Sequence, residues 1–274
     1  MTPISTLPTL LPTLSTAPPR PRPAARPSAR RTRLLAPTVG VLVTVALWWF
    51  ATSVLAGPGS LLAAFAPRRA VPAAVGLFAR GVLLQDIGTS LWRLLVGLLI
   101  ATVFGFAVGL AVGSVPVLDD ATRPVFQLLR MISPLSWAPV AIGLFGIGHR
   151  PVFFLVAAAA IWPVVLNTAA GVRAVDPGFP LVARSLGATR LEILRTVVLP
   201  ASRAHVLTGV RLALGIGWVV LVPAEMLGVT SGLGYEILNA RDQLAYDQVM
   251  AVILVIGLLG YLLDALARWT LRER

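Results

Sequence analysis

The sequence predicts an all-α, polytopic integral membrane protein with about six transmembrane helices, and three observations support this fold class. The mean hydropathy is +0.86, and 57% of the 274 residues are hydrophobic while only 12% are charged, a composition that soluble domains do not show. Several apolar runs are long enough to cross a bilayer. Most arginines fall in segments that a six-span topology places in the cytoplasm, as the positive-inside rule requires.

The residue types that the chain lacks exclude several classes of function. All 23 basic residues are arginine. Because a P-loop needs a lysine on the nucleotide phosphates, ATP hydrolysis must take place on another chain. The absence of cysteine excludes disulfides, thiol catalysis and iron–sulfur ligation. His149 and His205 lie too far apart for a metal motif. The sequence therefore predicts a protein that is not an enzyme and has no metal, cofactor or nucleic-acid partner.

The N-terminal segment, residues 1–33, is rich in proline, serine, threonine and arginine, which predicts a disordered cytoplasmic tail. The first transmembrane helix is predicted at 34–55. Cleavage of this segment as a signal peptide is the alternative, since Val54 and Ala56 resemble a processing site, but the long basic tail and long apolar run favour a retained span. Residues 56–84 contain prolines and broken apolar patches, which predict an extracytoplasmic loop with an amphipathic stretch at the membrane surface.

Five further apolar runs predict the remaining spans. These spans lie at 91–112, 126–145, 151–172, 206–227 and 249–267. Asp119 and Arg123 mark a turn before the third span, and Pro134 and Pro139 break that span. Six spans place both termini in the cytoplasm. The cytoplasmic segments are then the tail, the loop 173–205 and the end 269–274.

The second span carries a stripe of small residues that lets another helix approach closely. This stripe consists of Gly97, Gly105, Gly109 and Gly113. Packing inside the bundle is favoured over a homodimer face. Near the inner end of the last span, Asp264 stands four residues before Arg268, which favours a surface ion pair over a proton relay.

The cytoplasmic loop carries strong signals for helix starts and stops. Asp176, followed by a proline, is typical of a helix N-terminus, and Gly187 interrupts the helix that follows. Thr189 and Glu192 stand at capping-box spacing and predict a second short helix, which Pro200 would end. The result is two short helices at an angle. Charge and periodicity alone favour an element that lies on the membrane over one that docks into a partner.

This loop also resembles a motif of the permease subunits of bacterial ABC importers: Glu-Ala-Ala, three residues, Gly, nine residues, Ile, one residue, Leu-Pro. The matching residues are Ala183, Gly187, Val197, Leu199 and Pro200. Leu181 and Val182 replace the motif's glutamate and first alanine, which removes a charged contact with the ATPase but keeps the shape of the docking helix. The resemblance implies that the residues coupled to the ATPase are Ala183, Arg184, Leu186, Gly187, Ala188, Leu199 and Pro200.

Longer segments are similar to the branch of these permeases that serves nitrate, sulfonate, taurine and related small anions. The segments are SPLSWAPVAIGLFGIG (133–148), WPVVLNTAAGVRAV (162–175), GVRLALGIGWVVLVPAEMLG (209–228) and SGLGYEILNARD (231–242). The resemblance implies a type I ABC importer transmembrane domain over 85–268, embedded in plasma-membrane lipid. It also implies a homodimer of permeases, ABC ATPase subunits and an extracytoplasmic solute-binding protein. The implied solute is small and anionic, and a vitamin precursor or another small solute is the alternative.

Polar and amphipathic side chains in the spans are candidates for the translocation pathway, because a crossing anion needs hydroxyl, amide and indole donors. The candidates are Ser133, Trp137, Trp162, Asn167, Trp218 and Glu225. Packing contacts or interfacial anchors are the favoured interpretation for the first five. The Glu225 carboxylate would repel an anion, which leaves a gate, a contact with the binding protein or a simple interfacial charge.

Two other classes of function fit the sequence less well. A membrane-embedded enzyme would need paired aspartates, a histidine-rich metal motif or a Ser/Lys pair inside the spans. An ATP-independent channel or secondary transporter would show inverted repeats or ionisable residues at mid-span. The spans are predicted to contain none of these features.

Overall fold

A computed structural model describes residues 29–57 and 60–270, and in these residues every regular element is helical. The described residues fall into two units, one ending at Leu47 and the other beginning at Trp48. Helix α1 spans Ala29–Ser53, so the predicted tail is wrong in its last residues, which are helical. Alanine, arginine and leucine at this boundary are good helix formers and extend the apolar helix backwards. The rest of the predicted tail, residues 1–28, lies outside the described residues, as does 271–274 of the predicted cytoplasmic end.

The second unit contains the remaining helices. They are α2 (Leu61–Ala64), α3 (Pro67–Ala79), α4 (Val82–Ser114), α5 (Pro116–Met131), α6 (Ala138–Phe145), α7 (His149–Arg173), α8 (Gly178–Ser185), α9 (Arg190–Ile193), α10 (Leu199–Glu225), α11 (Leu233–Asp242) and α12 (Tyr246–Thr270). Helix α7 is central and packs against both α4 and α10, while α12 packs against α3 and α11. The core lies where these helices meet.

In the described part of the chain, four helices are long and apolar enough to cross a membrane. They are α4, α7, the continuous run Arg190–Glu225 and α12. A fifth span results if α5 and the segment Pro134–Phe145 count as one broken span. The described apolar part of α1, Thr38–Ser53, is shorter than a typical crossing. The fold is thus an all-α polytopic membrane fold.

The predicted third span, 126–145, is broken at Pro134, as the sequence predicts. Helix α5 ends at Met131, a 3₁₀ turn follows at Pro134–Trp137, and α5 and the following segment are bent by 86°. Pro134 causes the break because a residue before proline disfavours helical backbone and the proline ring has no N–H to donate. The turn predicted at Asp119 is wrong, since α5 already begins at Pro116, whose fixed φ suits the first helical turn.

The glycine stripe of α4 lies against α7, which confirms the prediction of packing inside the bundle. A Cβ added to Gly105 would lie 2.9 Å from the Val164 Cβ, and one added to Gly109 would lie 2.6 Å from the Val165 carbonyl oxygen. Such distances leave no room for a side chain, so glycine is required for the close approach of the two helices.

The Asp264 and Arg268 side chains form an ion pair on α12, as the sequence predicts. Arg211 of α10 approaches the same carboxylate, with 3.4 Å between its Nη2 atom and Oδ1. Each of these side chains is more than two-fifths exposed, so the pair is a surface contact that contributes little to stability.

Candidate functional site

The segment Gly178–Val198, here called the elbow, connects α7 to α10. Just before it, the Asp176 carboxylate accepts a hydrogen bond from the Gly178 N–H at 2.8 Å and satisfies a backbone donor at the start of α8. Helix α8 ends in a Schellman motif, in which the Ala188 N–H donates to the Ala183 carbonyl at 3.0 Å. Gly187 has a φ of 86°, a left-handed conformation that favours glycine. The predicted helix break at Gly187 is therefore confirmed.

The second half of the elbow begins with the predicted capping box. The Thr189 hydroxyl accepts the Glu192 N–H at 3.3 Å, and the Glu192 carboxylate accepts the Thr189 N–H at 2.7 Å. These bonds satisfy backbone groups that would otherwise lack partners at the start of α9. Together with the Schellman motif, they fix the chain direction on both sides of the turn.

The predicted end of the second helix at Pro200 is wrong, because the chain continues as helix through this residue. A π-helical turn at Leu194–Val198 precedes the proline, and α10 carries Pro200 in its first turn. A widened turn accommodates a proline ring that would clash with the carbonyl four residues earlier in a regular α-helix. The elbow is thus continuous with a membrane helix, and the whole run Arg190–Glu225 contains 36 residues.

The elbow leaves an apolar face uncovered. Phe179, Val182 and Leu186 stand at positions i, i+3 and i+7 and are 63%, 60% and 83% exposed. Leu181 beside them is also exposed. Side chains of this size are usually buried in a stable contact, so this face is a candidate docking surface.

The residues predicted to couple to an ATPase fall into two groups. Ala183, Arg184, Leu186, Gly187 and Ala188 lie together at the end of α8 and in its turn, whereas Leu199 and Pro200 open α10. Helix α8 packs against the π-helical turn that joins these groups. The two groups therefore lie on different helices, one on each side of this turn.

The candidate pathway residues separate in the structure. Trp137 and Trp162 line one cavity of about 280 Å³ between α7 and the bend after α5. Ser133 is exposed at the start of that bend. The Asn167 amide donates to the Pro163 carbonyl at 2.8 Å, and the Trp218 indole packs against Gly260 in the core. The last two side chains thus make packing contacts, the favoured interpretation.

Glu225 is fully buried, so the interpretation as an interfacial charge is wrong. Its carboxylate forms an ion pair with the Arg93 guanidinium, with 2.7 Å between Oε1 and Nη1. The Ser90 hydroxyl donates to the same carboxylate at 2.8 Å, and the Gly234 N–H donates at 3.0 Å. The Arg93 Nε–H also donates to the His149 Nδ1 atom at 3.0 Å. These contacts join α4, α7, α10 and α11 at the end of the bundle remote from the elbow.

The loop before α11 closes this buried network. The Arg93 guanidinium donates to the Ser231 carbonyl at 2.7 Å. Asp86 accepts the Gly232 N–H at 2.7 Å, and Ser90 accepts the Leu233 N–H at 2.9 Å. Gly232 has a φ of 102°, and a Cβ there would lie 2.5 Å from Glu225 Oε1. Only glycine fits this close approach.

The sequence pattern did not identify Arg93 as a functional residue. It lies near the start of the predicted span 91–112, so it does not contradict the prediction that the spans hold no ionisable residue at mid-span. The signal was present, because an arginine inside an apolar run needs a partner. Asp86, Ser90 and Arg93 also recur at helical spacing on one face of α4. The partner itself lies 132 residues further along the chain, and no local pattern identifies it.

Long apolar helices, a buried polar network between them and an elbow with an uncovered apolar face define a polytopic membrane protein with a candidate docking surface. Residues 101–273 match the model of a family described as the binding-protein-dependent transport system inner membrane component, and the chain belongs to that family. It is 35% identical over 242 residues to the taurine transport system permease protein TauC of Escherichia coli (strain K12), a match that covers 86% of each chain.

Two cyanobacterial proteins are similarly related. The bicarbonate transport system permease protein CmpB of Synechococcus elongatus is 34% identical over 253 residues, which are 88% of this chain and 90% of that protein. The nitrate import permease protein NrtB of Leptolyngbya laminosa is 36% identical over 184 residues, which are 67% of this chain and 66% of that protein.

Proposed function

We propose that this chain is the permease subunit of an ABC importer and that two copies form the pathway for a small, anionic solute across the plasma membrane. The family description supports dependence on a binding protein. The relatives are named for taurine, bicarbonate and nitrate, which supports a small, oxyanion-like solute. ATP is hydrolysed by a separate subunit, an extracytoplasmic protein delivers the solute, and this chain itself uses no cofactor.

The observation that carries this proposal is the uncovered apolar face of the elbow. Two fixed turns hold the elbow at a defined angle, so docking does not require the segment to become ordered and little conformational entropy is lost. Arginines within the elbow and on either side of it favour a cytoplasmic position. They are Arg173, Arg184, Arg190, Arg195 and Arg203. A rigid apolar ridge on the cytoplasmic side fits a groove on the ATPase.

Helix continuity supplies the mechanical link in this proposal. The run Arg190–Glu225 extends for about 54 Å at the rise of an α-helix, from the elbow to the buried network at the other end of the bundle. A displacement of the elbow by nucleotide-driven closure tilts this helix as a unit. Because Glu225 is bound to Arg93, the tilt is transmitted to α4. Alternating access then follows as a population shift between two packed arrangements.

The Leu186→Asp variant tests docking through the elbow. A carboxylate at this position would be desolvated in an apolar groove, so the affinity for the ATPase subunit is expected to fall by about thirtyfold or more. The measurement is the affinity of the purified ATPase for the detergent-solubilised chain. Leu186→Asp and the control variant are then assayed for ATP-driven uptake in proteoliposomes.

Leu244→Asp is the matched control, because Leu244 is 72% exposed in the loop between α11 and α12, at the far end of the bundle from the elbow. Its φ of 60° also suits aspartate. The control is expected to bind the ATPase as wild type does. Equal affinity in both variants would refute docking through the elbow, and uptake by the chain without any ATPase would support the secondary transporter instead.

A further inference from the structure

A second cavity, of about 190 Å³, lies between α5 and α7 at the elbow end of the bundle. Its polar lining consists of Asp119, Arg123, Gln127, Arg130 and Arg173, and Trp162 forms an apolar wall. Residues 119, 123, 127 and 130 recur at helical spacing on α5, and 162 and 173 share a face of α7. Two helix faces thus direct polar groups towards one space.

The charges that line this cavity do not cancel. Asp119 forms ion pairs with Arg123 at 3.0 Å and with Arg173 at 2.6 Å. Asp119 is the only carboxylate among the described lining residues, against three arginines, so the lining carries two uncompensated positive charges. Arg130 has no ion pair or hydrogen bond among the described side chains, and neither has Gln127.

The chemistry of this lining matches an oxyanion. A guanidinium presents a planar set of N–H donors that fits carboxylate, sulfonate and phosphate groups, and the Gln127 amide supplies further N–H groups. The Asp119 carboxylate pairs with Arg123 and Arg173 and brings both guanidinium groups to the cavity, although Arg123 is 68% exposed and Arg173 is 44% exposed. Trp162, whose ring lies 5.6 Å from the Phe126 ring, can contact the apolar part of a ligand.

We propose that this cavity binds an oxyanion group, with Arg130 and Gln127 as donors to the ligand and the Arg123–Asp119–Arg173 network beside it as a further source of positive charge. The ligand is either a soluble oxyanion or the headgroup of an anionic lipid in the inner leaflet, since the two share the same chemistry. The proposal does not depend on the identity of the transported solute.

The test uses the full chain purified in a neutral detergent and has two arms. In one arm, inorganic sulfate is titrated into the protein by calorimetry. In the other, native mass spectrometry compares retention of phosphatidylglycerol with retention of phosphatidylcholine. The variant is Arg130→Gln, which leaves the Asp119 ion pairs intact. Arg241→Gln is the control, because Arg241 is an exposed arginine paired with its neighbour Asp242 outside the cavity.

Saturable binding is expected in at least one arm, and the arm identifies the source of the oxyanion. Loss of one charged donor is expected to weaken that binding about tenfold in Arg130→Gln and to leave it unchanged in Arg241→Gln. Equal thermal unfolding of the two variants shows that both remain folded. The proposal is overturned if neither probe binds saturably, or if both variants bind as wild type does. It is also overturned if Arg130→Gln changes only self-association, since a second copy would then occupy the cavity.

Discussion

The Arg93→Met variant is expected to lose about 3–5 kcal/mol of unfolding free energy, because it leaves the Glu225 carboxylate buried without its counter-charge. Ser90 and Gly234 still donate to that carboxylate, but neither supplies a positive charge. The His149 imidazole also loses its donor. Since the network joins four helices, the transition should occur at lower temperature and with less cooperativity. Thermal and denaturant-induced unfolding in detergent micelles measure both effects.

A double-mutant cycle separates the ion pair from general damage to the core. Arg93→Met combined with Glu225→Met removes both charges, so the double variant is expected to be destabilised by less than the sum of the two single variants. Arg241→Met is the exposed control, and its loss of the Asp242 pair should change the stability by about 0.5 kcal/mol or less. An Arg93→Met protein as stable as this control would show that the buried pair does not hold the helices together.

The Gly187→Leu variant is expected to insert and fold but to lose at least about tenfold of its ATP-driven uptake. A leucine at a φ of 86° is strained by roughly 1–3 kcal/mol. An added Cβ meets no described atom within 4 Å, so the strain can be relieved by opening the turn rather than by disturbing the bundle. Relief changes the angle between α8 and α9. Uptake and ATPase activity in the same reconstituted vesicles measure the loss of coupling.

Gly187→Asn is the appropriate comparison, because asparagine accepts left-handed backbone far better than leucine does. Its uptake should remain within about twofold of wild type, given the small strain of asparagine in this region. If the leucine variant transports as well as the asparagine variant, the angle of the elbow does not matter for coupling.

The elbow was predictable in outline because its determinants are local. A glycine between two short amphipathic patterns, and a threonine three residues before a glutamate, specify a left-handed turn and a capping box without reference to the rest of the fold. The helix end predicted at Pro200 is wrong because the π-helical turn before this residue has no comparable sequence signal. Proline does disfavour a regular α-helix at this position, as the sequence indicates. The sequence does not show that a widened turn accommodates the proline ring.

The glycine stripe and the buried network show which long-range contacts the sequence can indicate and which it cannot. Gly105 and Gly109 repeat at helical spacing, so the sequence predicts a close helix contact, although only the structure identifies α7 as the partner. The Arg93–Glu225 pair joins two helices that are far apart along the chain, and no repeating sequence pattern relates the two residues. Its existence could be inferred from one arginine in an apolar run, but its geometry depends on tertiary packing.

Site-specific cross-linking shows whether the elbow docks on a separate ATPase subunit. The chain has no cysteine, so a single Leu186→Cys substitution provides a unique cross-linking site on the exposed face of the elbow. In the assembled transporter, this cysteine is predicted to cross-link to the ATPase with an efficiency that changes when ATP binds, whereas Leu244→Cys gives no such product. Equal cross-linking from both positions, or none from position 186, would show that the elbow does not dock on the ATPase.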